Sequence, residues 1–459
     1  MSTRMHRLVS VCAVALTLAA ISAEQVRGSE DARASSLGSA PHQLTEVAGT
    51  LFFSADDGVH GRELWKSDGT ADGTSLVDDI GPGTLGSDPL DLTAVGGTMF
   101  FSADDGVHGR ELWKSDGTPG GTSMVRDIYP GDRPSAPHDI VAVGGQAFFV
   151  AQSPYHGFEL WRTDGTDAGT GLVKDINKGG GRRSNIRNLT DVSGTLFFSA
   201  NDGAHGNEIW LSDGTSGGTR MLADVNTVGR DWPFELEAVG DRLFFAEQTD
   251  DSQLQDLWVT DGTRNGTSFL DESALDLTDV DGELFYEWHL RPGTLAKSDG
   301  TRAGTGPVFA PSGGSTKISH LHAITAVGAH AFFVAGDGLG GITGQELWVS
   351  DGTTDGSSLV KDINPSGKSY PSDLTDVNGV LLFRATTRQA GAELWRSDGT
   401  ADGTTLVDDL RPGTGSGAPS QITPMGDSVY FRANDGVHGA ELWRSDGTSA
   451  GTEMVDDIA

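Results

Sequence analysis

Short apolar runs alternate along the chain with clusters of glycine, aspartate and threonine, and the alternation returns at a nearly fixed interval. In the second copy the runs are Asp91 to Val95, Thr98 to Ala103, Glu111 to Ser115 and Thr122 to Ile128. Between them lie Gly96-Gly97, Asp105-Gly106 with His108-Gly109, and Asp116-Gly117 with Gly120-Gly121. Asp-Gly and Gly-Gly pairs tolerate the positive φ of tight hairpins, so each copy predicts four antiparallel strands. A sheet with one wet face would alternate apolar and polar residues strictly. Leu51-Phe52-Phe53 and Leu64-Trp65 instead place apolar side chains on both faces of adjacent strands. Sheets stacked between two neighbours need that pattern.

The period is set by Glu63-Leu64-Trp65 followed by Ser67-Asp68-Gly69-Thr70. Its tryptophans recur as Trp65, Trp113, Trp161, Trp210, Trp258, Trp348, Trp395 and Trp443, at gaps of 48, 48, 49, 48, 90, 47 and 48 residues. The gap of 90 hides a degenerate copy, Leu295 to Thr301, in which Ala296 replaces the tryptophan. Nine copies therefore run from about Leu44 to Ile458, or 415 of 459 residues. Four antiparallel strands every 40 to 50 residues or so predict an all-β fold, a β-propeller of nine four-stranded blades. The alternative is eight blades with the short sixth copy as an insertion. A β-helix has shorter coils and parallel strands, and isolated two-stranded modules bury too little surface to be stable. The array starts on a first strand and ends on a last one, at Met454 to Ile458. The terminal strands are therefore expected to share a blade and close the ring.

Composition adds a compartment. Arg4 and Arg7 precede an apolar stretch from Leu8 to Ala23, with small residues at Ala20, Ser22 and Ala23, which reads as a secretory signal peptide over residues 1–23. Residues 24–43 read as a linker and 44–459 as the propeller. Loss of the leader removes two arginines and no acid, taking the formal charge from −33 to −35. Such a chain repels nucleic acid and anionic membranes, and after the leader no run is apolar enough to insert in a bilayer. Cys12, the sole cysteine, lies in the leader, so the exported chain has no disulfide, no zinc–thiolate site and no thiol nucleophile.

A second spacing precedes the tryptophan. Ala55, Asp57, Gly61 and Trp65 form Ala-x-Asp-x-x-x-Gly-x-x-x-Trp, which recurs at Ala103 to Trp113, Ala200 to Trp210 and Ala433 to Trp443. It resembles the tryptophan-docking motif of the pyrroloquinoline-quinone dehydrogenases, whose eight-bladed propellers use the indole to lock each blade onto the next. The resemblance assigns the tryptophans a blade-locking role. His60 stands where that family usually has threonine, Ser153 replaces the aspartate before Trp161, and longer loops precede Trp258 and Trp348. Many of those enzymes also carry adjacent cysteines, which this chain lacks. As a whole the sequence is similar to the bacterial ELWxxDGT repeat family, also labelled hyalin-like. That resemblance implies an exported or cell-surface repeat protein and supplies no active site.

Candidate chemistry is hard to separate from repetition. Asp68, Asp116, Asp164, Asp213, Asp261, Asp299, Asp351, Asp398 and Asp446 head the Asp-Gly-Thr turns, where the side chain bonds its own backbone. A ring of such carboxylates is also a weak candidate for calcium, most plainly Asp68, Asp116, Asp164, Asp213, Asp398 and Asp446. No other cofactor is expected. Paired acids such as Asp56-Asp57 and Asp78-Asp79, and the histidines His60, His108, His156, His205 and His438, recur in register and read as structural.

A unique site is expected where copies disagree. In the sixth copy Tyr286-Glu287-Trp288-His289 and Arg291 replace the usual Asp-Gly hairpin, with His320, His322 and His330 nearby in sequence. The cluster Arg182, Arg183 and Arg187 is the other departure, able to hold an anionic sugar or carboxylate. The leading functional expectation is a non-enzymatic extracellular scaffold presenting the ring to a glycan or protein. The alternatives are an enzyme with its site on the axis near the sixth and seventh blades, and a calcium-dependent adhesive or matrix protein.

Overall fold

A computed structural model describes residues 38–179, 181, 183–223, 233–247, 255–289, 293–309, 319–336 and 344–459. Nine four-stranded antiparallel sheets follow one another along the chain and form a ring. Blades 1 to 9 span residues 42–78, 90–126, 138–174, 187–221, 233–271, 274–309, 319–361, 372–408 and 420–456. Within each blade the strands, called a to d here, pair in sequence order. The sixth copy is a full blade, so the ring has nine members and the eight-bladed alternative falls. In blade 2 the strands are Leu90–Val95, Thr98–Asp104, Arg110–Ser115 and Ser123–Arg126, within a few residues of expectation. Among the described residues no helix is long and apolar enough to cross a membrane.

Each blade is apolar on both faces, as the runs of strand b predict. Leu51, Phe53, Ala55 and Trp65 face blade 9, where they meet Tyr430, Leu442 and Val455. Phe52, Leu64, Val77 and Ile80 face blade 2 and pack on Leu92, Met99, Phe101, Ala103 and Trp113. The same division holds at the other interfaces, so Trp161, Trp210, Trp258, Trp348, Trp395 and Trp443 also lie between their own blade and the preceding one. Burying these side chains on both sides is what holds the stack together.

Strand a is innermost, since the a strands of adjacent blades touch all the way round. Most carry a bulge whose second residue takes a left-handed backbone, for example Gln43 (φ 57°), Asp91 (φ 55°), Asp276 (φ 59°) and Asp373 (φ 53°). In several blades the side chain at this position of strand a accepts from a main-chain N–H of the next blade. Gln43 takes Leu92 N–H at 3.1 Å, Glu235 takes Leu277 N–H at 2.9 Å, and Asp276 takes Ile324 N–H at 3.1 Å. One turn further down, Thr45, Thr93, Thr278 and Thr375 donate to carbonyls of the following strand a. Two polar girdles thus bind the inner strands together.

The terminal strands do not share a blade. Strands His42–Val47 and Glu453–Asp456 belong to different complete sheets, contrary to expectation. Closure comes from contact between blades 9 and 1, and from Ser39, whose N–H donates to Glu441 at 2.7 Å. A full four-stranded blade at each end leaves no strand to exchange, so packing, the Ser39–Glu441 contact and the Ala40 N–H to Ala440 O bond close the ring.

Candidate functional site

Antiparallel order puts the b–c hairpins and the blade-to-blade connections on one face, called upper here. The a–b and c–d turns lie on the other. Most recurrent groups on both faces are engaged in local structure. On the lower face Asp68 Oδ1 accepts from Thr70 N–H at 3.0 Å and Thr70 Oγ1 at 2.7 Å, and the other eight Asp-Gly-Thr turns repeat this. Those bonds hold Asp68, Asp116, Asp164, Asp213, Asp398 and Asp446 below the usual carboxylate range. Gly73 is required here by close approach: a Cβ would sit 2.0 Å from the Asp68 carboxylate. Among the described residues no three of His, Cys, Asp and Glu converge as a metal site would.

On the upper face Asp57 Oδ1 accepts from Val59 and His60 N–H, and Asp57 Oδ2 meets His60 Nδ1 at 2.7 Å. The carboxylate raises the histidine pKa, here and in the pairs Asp105–His108 and Asp435–His438. Asp202–His205 has the same geometry, and His156 meets Ser153 Oγ instead, at 3.1 Å. Five near-copies of one pair describe a hairpin brace.

The copies disagree at one place in space. Near the upper end of strands a and b, one aligned cross-strand pair is His42/Ser54 in blade 1, Leu90/Ser102 in blade 2 and His138/Val150 in blade 3. It becomes Arg187/Ser199, Leu275/Glu287, His322/Val334, Ser372/Arg384 and Ser420/Arg432 in blades 4, 6, 7, 8 and 9. Neighbouring positions on strand b stay apolar. Chemistry thus varies around the axial end of the upper face while the frame beneath it repeats.

A cavity with a volume of about 370 Å3 lies there, between blades 3 and 4. It is lined by His138, Asp139, Val150, Phe158, Arg183, Asn185, Ile186 and Arg187. Strand a of blade 3, His138–Val143, supplies His138 and Asp139, strand c, Gly157–Thr163, supplies Phe158, the connection into blade 4 supplies Arg183 and Asn185, and strand a of blade 4 supplies Arg187. The Arg183 guanidinium lies 4.8 Å from the Phe158 ring centroid, and the His138 ring meets the same phenyl edge-on at 5.4 Å. His138 Nδ1 lies 3.0 Å from Ala136 O; a carbonyl only accepts, so Nδ1 carries the proton. The neutral ring then keeps Nε2 as its acceptor. Of the arginines expected from sequence, Arg183 and Arg187 line this cavity, and Arg182 falls outside the described residues. His138, Asn185 and Phe158 were missed, although comparing aligned positions between copies would have singled them out.

The sixth-blade patch does not stay together. Glu287 is buried on the strand face it shares with Phe285, where burial and then the charges of Asp276 and Glu235 push its carboxyl up to about 7 against a hydrogen bond from Gly293. Trp288 points to the opposite face of the strand, packs with Tyr286 and Ala296 against blade 5, and donates its indole N–H to Glu272 O at 2.9 Å. His289 is exposed at the strand end. Period-two alternation separates them, so they form no common pocket. Arg291 and the His320 side chain lie outside the described residues, and His330 is on the lower face. Across the closure, Arg432 Nη1 lies 3.3 Å from His42 Nε2, and burial with the charges of Arg432 and Arg62 pushes that histidine down to about 4.

No family model and no curated protein matches the chain. Among solved structures it is similar to a puromycin hydrolase, at 13% identity and a TM-score of 0.41, covering 87% of this chain and 59% of that one. A prolyl endopeptidase shares 14% identity at a TM-score of 0.42, covering 76% and 54%. BamB from Moraxella catarrhalis shares 13% at 0.39, covering 75% and 90%. The chain spans little more than half the length of the first two. Likeness at this level carries no argument about chemistry. It does overturn one expectation: propellers resembling this one occur in peptidases, so a repeated propeller is no mark of a non-enzymatic scaffold, and that reading is given up.

Proposed function

We infer that the chain is an exported repeat protein whose axial upper face binds an acidic saccharide, seated in the cavity between blades 3 and 4. The observation that carries this reading is a cavity of about 370 Å3 lined by Arg183 and Arg187 in a chain of net charge −33. A general negative surface disfavours anions, so two arginines converging on one cavity create a local exception. A guanidinium pairs with a carboxylate through two parallel N–H donors, which suits a uronate better than a neutral sugar. Asn185, Asp139 and the His138 acceptor nitrogen supply hydroxyl partners, and Phe158 gives an apolar wall for a sugar ring.

Calorimetric titration with galacturonate and with glucose at low salt tests the reading. Galacturonate is expected to bind and glucose to bind at least about tenfold more weakly, the worth of one good charged contact. Arg183→Ala and Arg187→Ala should each weaken uronate binding by a similar factor, and added salt should weaken it in the unaltered protein. Equal binding of the two sugars would sink the proposal. Retained binding in both arginine variants, with loss in Glu287→Gln, would move the seat to the sixth blade.

A further inference from the structure

On the lower face a cation of most blades lies at the middle glycine of the next blade's Asp-Gly-Thr turn. Lys66 Nζ donates to Gly117 O at 2.7 Å and Lys114 Nζ to Gly165 O at 2.7 Å, each glycine being the middle residue of the following Asp-Gly-Thr turn. Arg396 reaches Gly447 O at 3.2 Å, and Arg444 reaches Gly69 O at 3.3 Å across the closure. The Arg162 and Lys297 side chains also lie beside Gly214 and Gly352, with Lys297 Nζ donating to Glu283 at 2.8 Å. Three blades carry an apolar residue at this position of strand c, and in two of them another arginine takes over. Blade 4 has Leu211, and Arg220 donates to Gly262 O at 3.1 Å. Blade 5 has Val259, and Arg242 donates to Asp299 O at 2.9 Å, beside Gly300.

Blade 7 has Val349 there, and among the described residues no lysine or arginine reaches Gly399 of the next turn. At that interface the lower face has a cavity of about 270 Å3. Phe332 and Val349 form its apolar part, and Asp351, Asp398, Gly399 and His330 its polar part. Asp351 and Asp398 engage Oδ1 in their own turns through Thr353 and Thr400. The remaining oxygens keep the cavity negative. Phe332 occupies the position of Phe52, which with the Lys66 stem encloses Gly117 at the first interface.

We propose that the cavity between blades 7 and 8 binds a primary alkylammonium, which takes the place that a lysine side chain fills at the first two interfaces. The ammonium donates to Gly399 O and lies between the Asp351 and Asp398 carboxylates. Its methylenes cover Phe332 and Val349 as the lysine stem covers Phe52. The fold itself supplies the template for this ligand, because equivalent cavities are filled by the chain's own cations.

Thermal unfolding in n-butylammonium chloride, against tetramethylammonium chloride at equal ionic strength, is the test. The first is expected to raise the Tm and the second, which has no N–H to donate, is not. Val349→Lys should raise the Tm by itself and abolish the response. Asp398→Asn, which keeps the turn acceptor but loses the charge, should weaken n-butylammonium binding about three- to tenfold, which also serves if Val349→Lys fails to fold. Nα-acetyl-lysine methylamide distinguishes sources: a response to it as well as to n-butylammonium assigns the site to a lysine of a partner, and a response to n-butylammonium alone assigns it to a free amine. Equal effects of the two quaternary and primary cations, or an undiminished response in Val349→Lys, would overturn the proposal.

Discussion

The glutamate that begins each Glu-Leu-Trp run is a charge placed where charge is costly. Glu63, Glu111, Glu159, Glu393 and Glu441 have no solvent exposure; the first four accept from the connection into the next blade and Glu441 from Ser39. Glu111 takes Ile128 and Ser135 N–H, and Glu346 takes Ile363 and Ser369 N–H, all within 3.0–3.1 Å. Burial pushes Glu111 up to about 6 and Glu159, Glu346 and Glu393 up to about 7, against the hydrogen bonds, which favour the charged form. In the unfolded chain such carboxyls titrate near 4.5. Between that value and about 7 the folded state holds the extra proton, so these groups stabilise the ring below pH ~4.5 and lose that contribution as pH rises through about 7. Urea unfolding at pH 5 and pH 8 should show the ring less stable at pH 8, and Glu159→Gln should reduce that difference by on the order of 1–3 kcal/mol. An unchanged pH dependence would place Glu159 outside this account. The repeat made the glutamate legible as structural. Its partner was not legible, because Ser135 lies 24 residues on, across a loop whose path strand periodicity does not describe.

At the scale of the blade, the sixth copy keeps the fold by moving an aromatic residue from one strand to another. Ala296 vacates the tryptophan position on strand c, Tyr286 replaces phenylalanine on strand b, and Trp288 replaces the usual alanine two residues on. All three meet in the core between blades 5 and 6, where the Tyr286 hydroxyl donates to Asp271 at 2.7 Å. The space that an indole fills from strand c elsewhere is filled from strand b here. Ala296→Trp should therefore overpack that core and cost about 1–3 kcal/mol, and adding Trp288→Ala should recover much of the loss in a double-mutant cycle. Additive effects in urea unfolding would mean that the two positions do not share a space. The four strands, their two apolar faces and the turns were all readable from period-two runs and glycine pairs. Read along the sequence, Tyr286 to His289 looked like one patch. The pleat sends Glu287 and Trp288 to opposite faces, and only the strand register shows that Trp288 is a packing replacement while Glu287 joins the variable axial pairs.

For the whole ring the vulnerable point is the interface between blades 9 and 1, the one that no chain connection spans. Every other interface is held by the same packing and by a covalent link, so a blade that loosens there stays near its partner. At the closure the Glu-Leu-Trp glutamate, Glu441, takes Ser39 N–H and hydroxyl, Ala40 N–H donates to Ala440 O at 2.8 Å, and Asp56 N–H donates to Ser39 O at 3.0 Å. Removing the carboxylate deprives Ser39 of its acceptors and frees residues 38–41, and separation of the blades then needs no loop to unfold. Glu111→Ala removes an equivalent lock inside a connected pair, where the link between blades 2 and 3 keeps the effective concentration of the partners high. Amide hydrogen exchange should show the difference. In Glu441→Ala the amides of Ala40, Asp56 and strand His42–Val47 are expected to exchange at least about tenfold faster, corresponding to about 1.4 kcal/mol of lost local stability, while the middle of the ring is unchanged. In Glu111→Ala the amides of Ala136 and Gln152, which donate to Arg110 O and Ser135 O, should accelerate by less. Equal acceleration in the two variants would mean that packing between apolar faces, and not the glutamate–serine lock, decides where the ring opens.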